Sequence, residues 1–293
     1  MSDVLRIQLN TPVVRPGQMV TGTVFFNPTK QVNLNQLVLT LAGDEKSRVQ
    51  VQTGTGKHRH SHYKEAVRGL VSRNELLAPG GLMQPGSYPF EFSFDIPFGS
   101  LPSYQGKNAW VIYGLEARAD IPMWFDTTCK AAIGVFGAPP DQRGPPIEIL
   151  ANYPGSLKGV LTGGGQSEYK SGPGFRLELA QTWYQPGETV TGTITIHNPE
   201  GKHLRKLKVH LRGVEVAQAG GHRDSSISAS HDIDVPIDGN APGEPLQFSF
   251  QLPPDMNDSV PGSVMSFFWM LEAQLDIAWG FDVKAEVEIK IFH

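Results

Sequence analysis

Arg15-Pro16-Gly17-Gln18-Met19-Val20-Thr21-Gly22-Thr23-Val24 returns later in the chain as Gln185-Pro186-Gly187-Glu188-Thr189-Val190-Thr191-Gly192-Thr193-Ile194. The offset, 186 − 16 = 170, also carries Leu5-Arg6-Ile7-Gln8-Leu9 onto Phe175-Arg176-Leu177-Glu178-Leu179 and Leu41-x-Gly43-x-Glu45 onto Leu211-x-Gly213-x-Glu215. Beyond that block the register changes. Phe92-Ser93-Phe94-Asp95-Ile96-Pro97 recurs as Phe248-Ser249-Phe250-Gln251-Leu252-Pro253 at 248 − 92 = 156, an offset that also aligns Leu115-Glu116-Ala117 with Leu271-Glu272-Ala273 and Phe136 with Phe292. Two copies of one domain therefore fill nearly the whole chain. The first copy is longer by 170 − 156 = 14 between its Gly-x-Glu and Phe-Ser-Phe blocks. The expected domains are 1–137 and 174–293, joined by a linker over 138–173 that holds Pro139-Pro140, Pro145-Pro146 and Gly163-Gly164-Gly165.

Within each copy the apolar residues recur at every second position. Val20, Gly22, Val24 and Phe26 alternate with Thr21, Thr23 and Phe25, and Val283, Ala285, Val287, Ile289 and Ile291 alternate with Asp282, Lys284, Glu286, Glu288 and Lys290. That period marks half-buried strands. Pro-Gly before the first strand and Asn27-Pro28 or Asn198-Pro199 after it are turn signals. The segment from Ala109 to Ala119 and its counterpart from Met265 to Leu275 begin apolar on both faces, which predicts cover on both sides there. Ile147 to Leu150 has the composition of a short extra strand, and a helical turn is expected only around Val67 to Leu77. The fold class is all-β: two tandem antiparallel β-sandwich domains of immunoglobulin-like type, related by an internal repeat.

Bulk properties narrow the function. A net charge of −4 with 18% charged residues gives no global pull toward nucleic acid or anionic membrane. Cys129 is the single cysteine, so neither a disulfide framework nor a cysteine zinc site is available. The N-terminus lacks the pattern of a signal peptide. No apolar run approaches the length of a membrane span, about 18 residues. A cytoplasmic protein with no transmembrane segment is the expectation.

The blocks in their order resemble the arrestin fold, and the first copy is most similar to α-arrestins and bacterial sporulation-control proteins. The matching residues are Leu41-Ala42-Gly43-x-Glu45, Pro85-Gly86-x-Tyr88-x-Phe90-x-Phe92-x-Phe94-x-Ile96-Pro97, Leu101-Pro102-Ser103-Tyr104-x-Gly106 and Ile112-Tyr113-x-Leu115-x-Ala117-x-x-Asp120. The resemblance implies a non-catalytic scaffold or adaptor that binds protein partners, cargo or membrane-associated proteins, through loops and concave sheets. Peripheral membrane association would come through those partners. Departures are also visible. Pro139-Pro140-Asp141-Gln142 and Pro145-Pro146-Ile147-Glu148 lack the tyrosine of a Pro-Pro-x-Tyr motif, and the sequence stops at His293, so neither ligase recruitment by that motif nor autoinhibition by a tail is expected.

Two clusters are candidate contacts. Lys57-His58-Arg59-His60-Ser61-His62-Tyr63-Lys64 lies in the segment unique to the first copy, which makes Lys57, His58, Arg59, His60, His62 and Lys64 the expected partner-binding set. If the segment is extended, His58, His60 and His62 share a side, an arrangement in which imidazoles ligate zinc or copper. The alternative function is therefore a metal- or small-ligand-binding protein using this loop, although Glu65 is the one carboxylate beside it. Lys206, Lys208, His210 and Arg212 occupy the outward face of a strand and are candidate anion contacts, with Asp282, Glu286 and Glu288 as the expected cross-strand counter-charges.

Nothing else supports chemistry. Gly54-Thr55-Gly56-Lys57 has Val51 and His58 where a phosphate loop needs glycine and Ser or Thr. Glu116, Asp120, Glu272 and Asp276 recur in both copies and are expected on the outer strand face, and Trp124 and Trp279 are expected to pack at the sandwich edges. No enzyme activity, cofactor or nucleic-acid partner is expected.

Overall fold

The computed structural model describes residues 4–54, 58–122, 127–140, 143–152, 172–198, 201–237 and 243–293. Trp124, Lys57 and the triglycine run lie outside them. Among the described residues every regular element is a strand. The first eleven are β1 (Leu5–Leu9), β2 (Val13–Val14), β3 (Met19–Phe26), β4 (Val32–Leu34), β5 (Gln36–Thr53), β6 (His60–Ala78), β7 (Gly81–Met83), β8 (Tyr88–Asp95), β9 (Tyr104–Gln105), β10 (Ala109–Asp120) and β11 (Thr127–Val135). The remainder are β12 (Ile147–Asn152), β13 (Gly174–Leu179), β14 (Trp183–Tyr184), β15 (Thr189–His197), β16 (Leu204–Ala219), β17 (His222–Val235), β18 (Pro245–Gln251), β19 (Met265–Ile277) and β20 (Val283–Ile291).

The chain divides into two compact units: Met1–Ala138 with Val216–Asp224 and Val260–Ser266, and Pro139–Glu215 with Ser225–Ser259 and Phe267–His293. Sheet orders restate the sequence repeat. One copy has β1-β3-β8 and β2-β11-β10-β5-β6; the other has β12-β13-β15-β18 and β14-β20-β19-β16-β17, with β12 as the added strand. Most neighbours are antiparallel, but β2 with β11 and β14 with β20 are short parallel pairs.

The repeated Pro-Gly turn sets the entry to each sheet. Gly17 and Gly187 both have φ 83, where a side chain is strained and glycine is not. Gln18 N–H donates to Arg15 O at 3.0 Å while Arg15 N–H donates to Gln18 Oε1 at 2.8 Å. Glu188 and Gln185 make the same two bonds at 3.0 and 2.8 Å. Five residues past that glycine is a second invariant of the two copies. A Cβ on Gly22 would sit 2.7 Å from Phe92 Cζ, and one on Gly192 would sit 2.6 Å from Phe248 Cε1. Each glycine is the cross-strand partner of the phenylalanine that covers it.

Two expectations change. Val67 to Leu77 is strand, not helical turn: β6 pairs with β5 throughout, with irregularities between Gly43/Asp44 and Leu37/Val38 that make its apolar spacing imitate a helix. β10 is buried on one face only. Ile112 is 50% exposed. Trp110 is met by the Arg48 guanidinium 5.2 Å from its ring, a cation over an aromatic face rather than a packed layer. Asp120 and its neighbours keep the expected alternation.

Because the phenylalanine ring, joined at Gly22 by the Gln8 carbonyl oxygen, occupies the place of the missing side chain, Gly22→Ala and Gly192→Ala should each destabilise the protein by about 1–3 kcal/mol through overpacking. Thr189 is exposed, and Thr189→Ala should stay within about 0.5 kcal/mol. Denaturant midpoints of the three variants check this.

Candidate functional site

The segment unique to the first copy folds as the far end of the β5–β6 hairpin. From Glu45, β5 continues eight positions to Thr53, whereas from Glu215, β16 continues four to Ala219, so the hairpin arms themselves absorb part of the insertion. Thr53 faces His60 and Val51 faces His62 across the ladder, which puts these two imidazoles on one face; His58 precedes the strand. His58, Arg59, His60 and His62 are exposed. Lys64 is not free for a partner: its ammonium lies 3.4 Å from Gly220 O and 3.2 Å from His222 Nε2. Behind it, Val49 packs with Ala217 and Ala219, flanked by Val51 and Ala66. Among the described residues no three His, Cys, Asp or Glu side chains are placed to share a metal ion, so His58, His60 and His62 do not assemble as a ligand set.

Glu45 was legible only as a repeated letter. It lies on the same strand parity as buried Leu37, Leu39 and Leu41 and is itself 0% exposed. A buried carboxylate requires charge-assisted partners. Glu45 Oε1 accepts Val264 N–H at 2.6 Å and Met265 N–H at 2.9 Å; Oε2 accepts Ser263 Oγ–H at 3.2 Å and lies 3.5 Å from Arg68 Nη1. Arg68 also donates to Ser263 Oγ at 2.7 Å. An inward-parity glutamate was the signal available in the sequence.

The basic face on β16 is largely neutralised, but not by the strand expected. β19 lies between β16 and β20, so Glu286 and Glu288 are not its cross-strand neighbours. Instead Arg212 reaches Glu272 at 3.3 Å, Lys208 approaches Asp234 at 4.0 Å, and His210 Nδ1–H donates to Asp232 Oδ1 at 2.7 Å. Asp282 takes a hydrogen bond from Gln274 Nε2 at 2.6 Å. His210 is buried beneath Asp232, and its hydrogen bond holds that carboxyl below the usual range. Lys206 alone of the four has no ion-pair partner among the described residues. With Gln274 and Asp276 these side chains line a shallow cavity of about 320 Å³. Glu272 is not on an open outer face either: its side chain is 4% exposed, between Arg212 and Lys284 at 3.2 Å.

Trp279 overturns its assignment as an edge-packing residue. It is 99% exposed, and Phe281 beside it is 72% exposed. Gly280 N–H donates to Ile277 O at 3.2 Å, closing a turn in which Trp279 has φ 58. Glycine or asparagine is favoured at such a position, and a bulky side chain there is strained. The position between Ala278 and Gly280, in the turn joining two strands, was the available clue.

At the second Pro-Gly turn Arg143 forks onto Glu188, with both N···O distances 2.6 Å, and its guanidinium stands 4.5 Å over the Trp183 ring. The hydrogen bonds from Arg143 hold the Glu188 carboxyl below its ordinary range. Two outcomes follow. Trp279→Asn should raise stability by up to about 1 kcal/mol by relieving the left-handed backbone; a lower denaturant midpoint would mean that the indole is packed. A depressed folded pKa contributes stability that is present above the unfolded carboxylate pKa and lost as pH falls through the folded value. Arg143→Ala should therefore flatten the acid limb of the stability profile and lower the midpoint at neutral pH more than at acid pH.

No helix among the described residues is long and apolar enough to cross a membrane. Residues 5–138 match the family model described as "Arrestin (or S-antigen), N-terminal domain".

Proposed function

Residues 5–138 match an arrestin N-terminal domain, and from that premise we propose that the chain is an arrestin-fold protein, a non-catalytic, cytoplasmic scaffold that binds protein partners. That family is generally one of protein-interaction adaptors without catalysis. The observation that carries the proposal for this chain is the end of the β5–β6 hairpin. His60 and His62 stand exposed there on a ladder longer than its counterpart in the other copy, with His58 and Arg59 exposed just before it. The strand pair fixes the backbone of His60 and His62, which limits the ordering cost on binding there. Lys64 has an internal role and contributes through position rather than contact. On the other copy, Lys206 is the member of the basic face with charge to offer an acidic partner. Membrane association, where it occurs, comes through such partners.

The test keeps the ladder intact, because Ala66 packs beside Val49 and excising the strand would disturb that contact. His58, Arg59, His60 and His62 are replaced together by serine, and cross-linked partners from native lysate are compared with the unaltered chain. Loss of defined partners at unchanged thermal stability is the expected result; an unchanged partner set would refute this hairpin as the contact.

A further inference from the structure

We propose that β6 is a strand-addition edge that takes an extended acidic segment of a protein partner. This deepens the scaffold proposal and rests on it. β6 is the last strand of the order β2-β11-β10-β5-β6, so its outer side has no strand beside it among the described residues. From Asp44↔Gly69 to Thr53↔His60 its register on β5 is unbroken, and the stretch from His60 to Gly69 contains no proline. Ten residues at about 3.3 Å each present about 33 Å of straight edge. An edge strand offers unpaired N–H and C=O groups at alternate residues, and proteins that do not use such an edge blunt it with proline, a bulge or guarding charge.

Guarding charge is sparse over this stretch: Glu65 stands exposed between Tyr63 and Val67, while the two cations have partners. The irregularity near Leu70 lies beyond it. Lys64 is drawn to Gly220 O and His222, and Arg68 to Glu45 and Ser263. On the other face Tyr63 and Val67 are 54% and 62% exposed. An added strand would set alternate apolar side chains against these two, which are four residues apart and so share a face.

Charge selects the occupant. From His58 to Lys64 the chain carries His58, Arg59, His60, His62 and Lys64 and no carboxylate. A second copy fits poorly. Antiparallel self-pairing about a two-fold axis perpendicular to the sheet sets one residue opposite itself, and the centres that use this stretch most fully are Lys64 and Glu65. Either choice opposes like charges. An acidic segment from another protein avoids that conflict and meets the basic end of the strand.

The experiment uses the full chain and pooled synthetic decapeptides alternating Glu or Asp with Val, Ile or Thr. Three controls are run: the same pool with Lys for each acid, and two pools N-methylated at odd or at even amides. Acidic peptides should bind and slow amide exchange in 60–69; one methylation pattern should abolish binding while the other leaves it, because an edge uses alternate amides. Val67→Glu, at an exposed position, should weaken binding by about tenfold or more. Absence of binding up to about 1 mM, binding without protection of β6, equal binding of both methylated pools, or a dimer of the chain that protects the same amides would each overturn the proposal. A chain that still captures its cross-linked partners while β6 takes no peptide loses the edge proposal and keeps the scaffold function.

Discussion

A strand gives each side chain one of two faces, and this two-residue period governs what can be buried and what must find a polar partner. On β10 the residues Ala109, Val111, Tyr113, Leu115, Ala117 and Ala119 are buried without exception, and β19 repeats the pattern from Met265 to Ile277. A polar residue placed on the buried parity has no conformational escape. Glu45 is such a residue, and it stands only because two main-chain N–H groups, a serine hydroxyl and a guanidinium converge on it. Glu272 is the complementary case: on the nominally outer parity, it is still removed from water by Arg212 and Lys284.

The same period explains how much was legible. The alternating runs, the Pro-Gly turns and the Gly22/Phe92 and Gly192/Phe248 blocks are local patterns, and they specify strands, entry turns and the sandwich class directly. Order within a sheet is not local. The counter-charges for Lys208, His210 and Arg212 depend on which strands flank β16, and these are β17, which supplies Asp234 and Asp232, and β19, which supplies Glu272, rather than β20. Val67 to Leu77 failed for a related reason, since register irregularities insert extra residues and make a bent strand imitate helical spacing.

For the candidate site, residue type was legible and engagement was not. His58, Arg59, His60 and His62 are on the surface as their polarity suggested, yet Lys64, from the same run, is held by Gly220 and His222. Trp279 shows the opposite error. Its apolarity argued for burial, but the turn hydrogen bond from Gly280 to Ile277 fixes it in a position with no core within reach. Local turn geometry outweighed composition.

The internal repeat makes each copy a control for the other. Both copies have an edge strand following the Gly-x-Glu block, but β17 carries Asp224, Asp232 and Asp234, and two of these are committed to His210 and Lys208. In β6 Lys64 and Arg68 are engaged by Gly220, His222 and Ser263, and the exposed apolar pair Tyr63 and Val67 flanks the exposed Glu65. One ancestral hairpin has thus been given two charge patterns. In β17 the exposed carboxylates Asp224, Asp232 and Asp234 line the edge, while β6 keeps one, Glu65, over its longest straight stretch. Since sparsely guarded edges favour indiscriminate association, retaining one of this length is consistent with selection for a defined occupant, and the like charges at Lys64 and Glu65 work against a second copy filling that role.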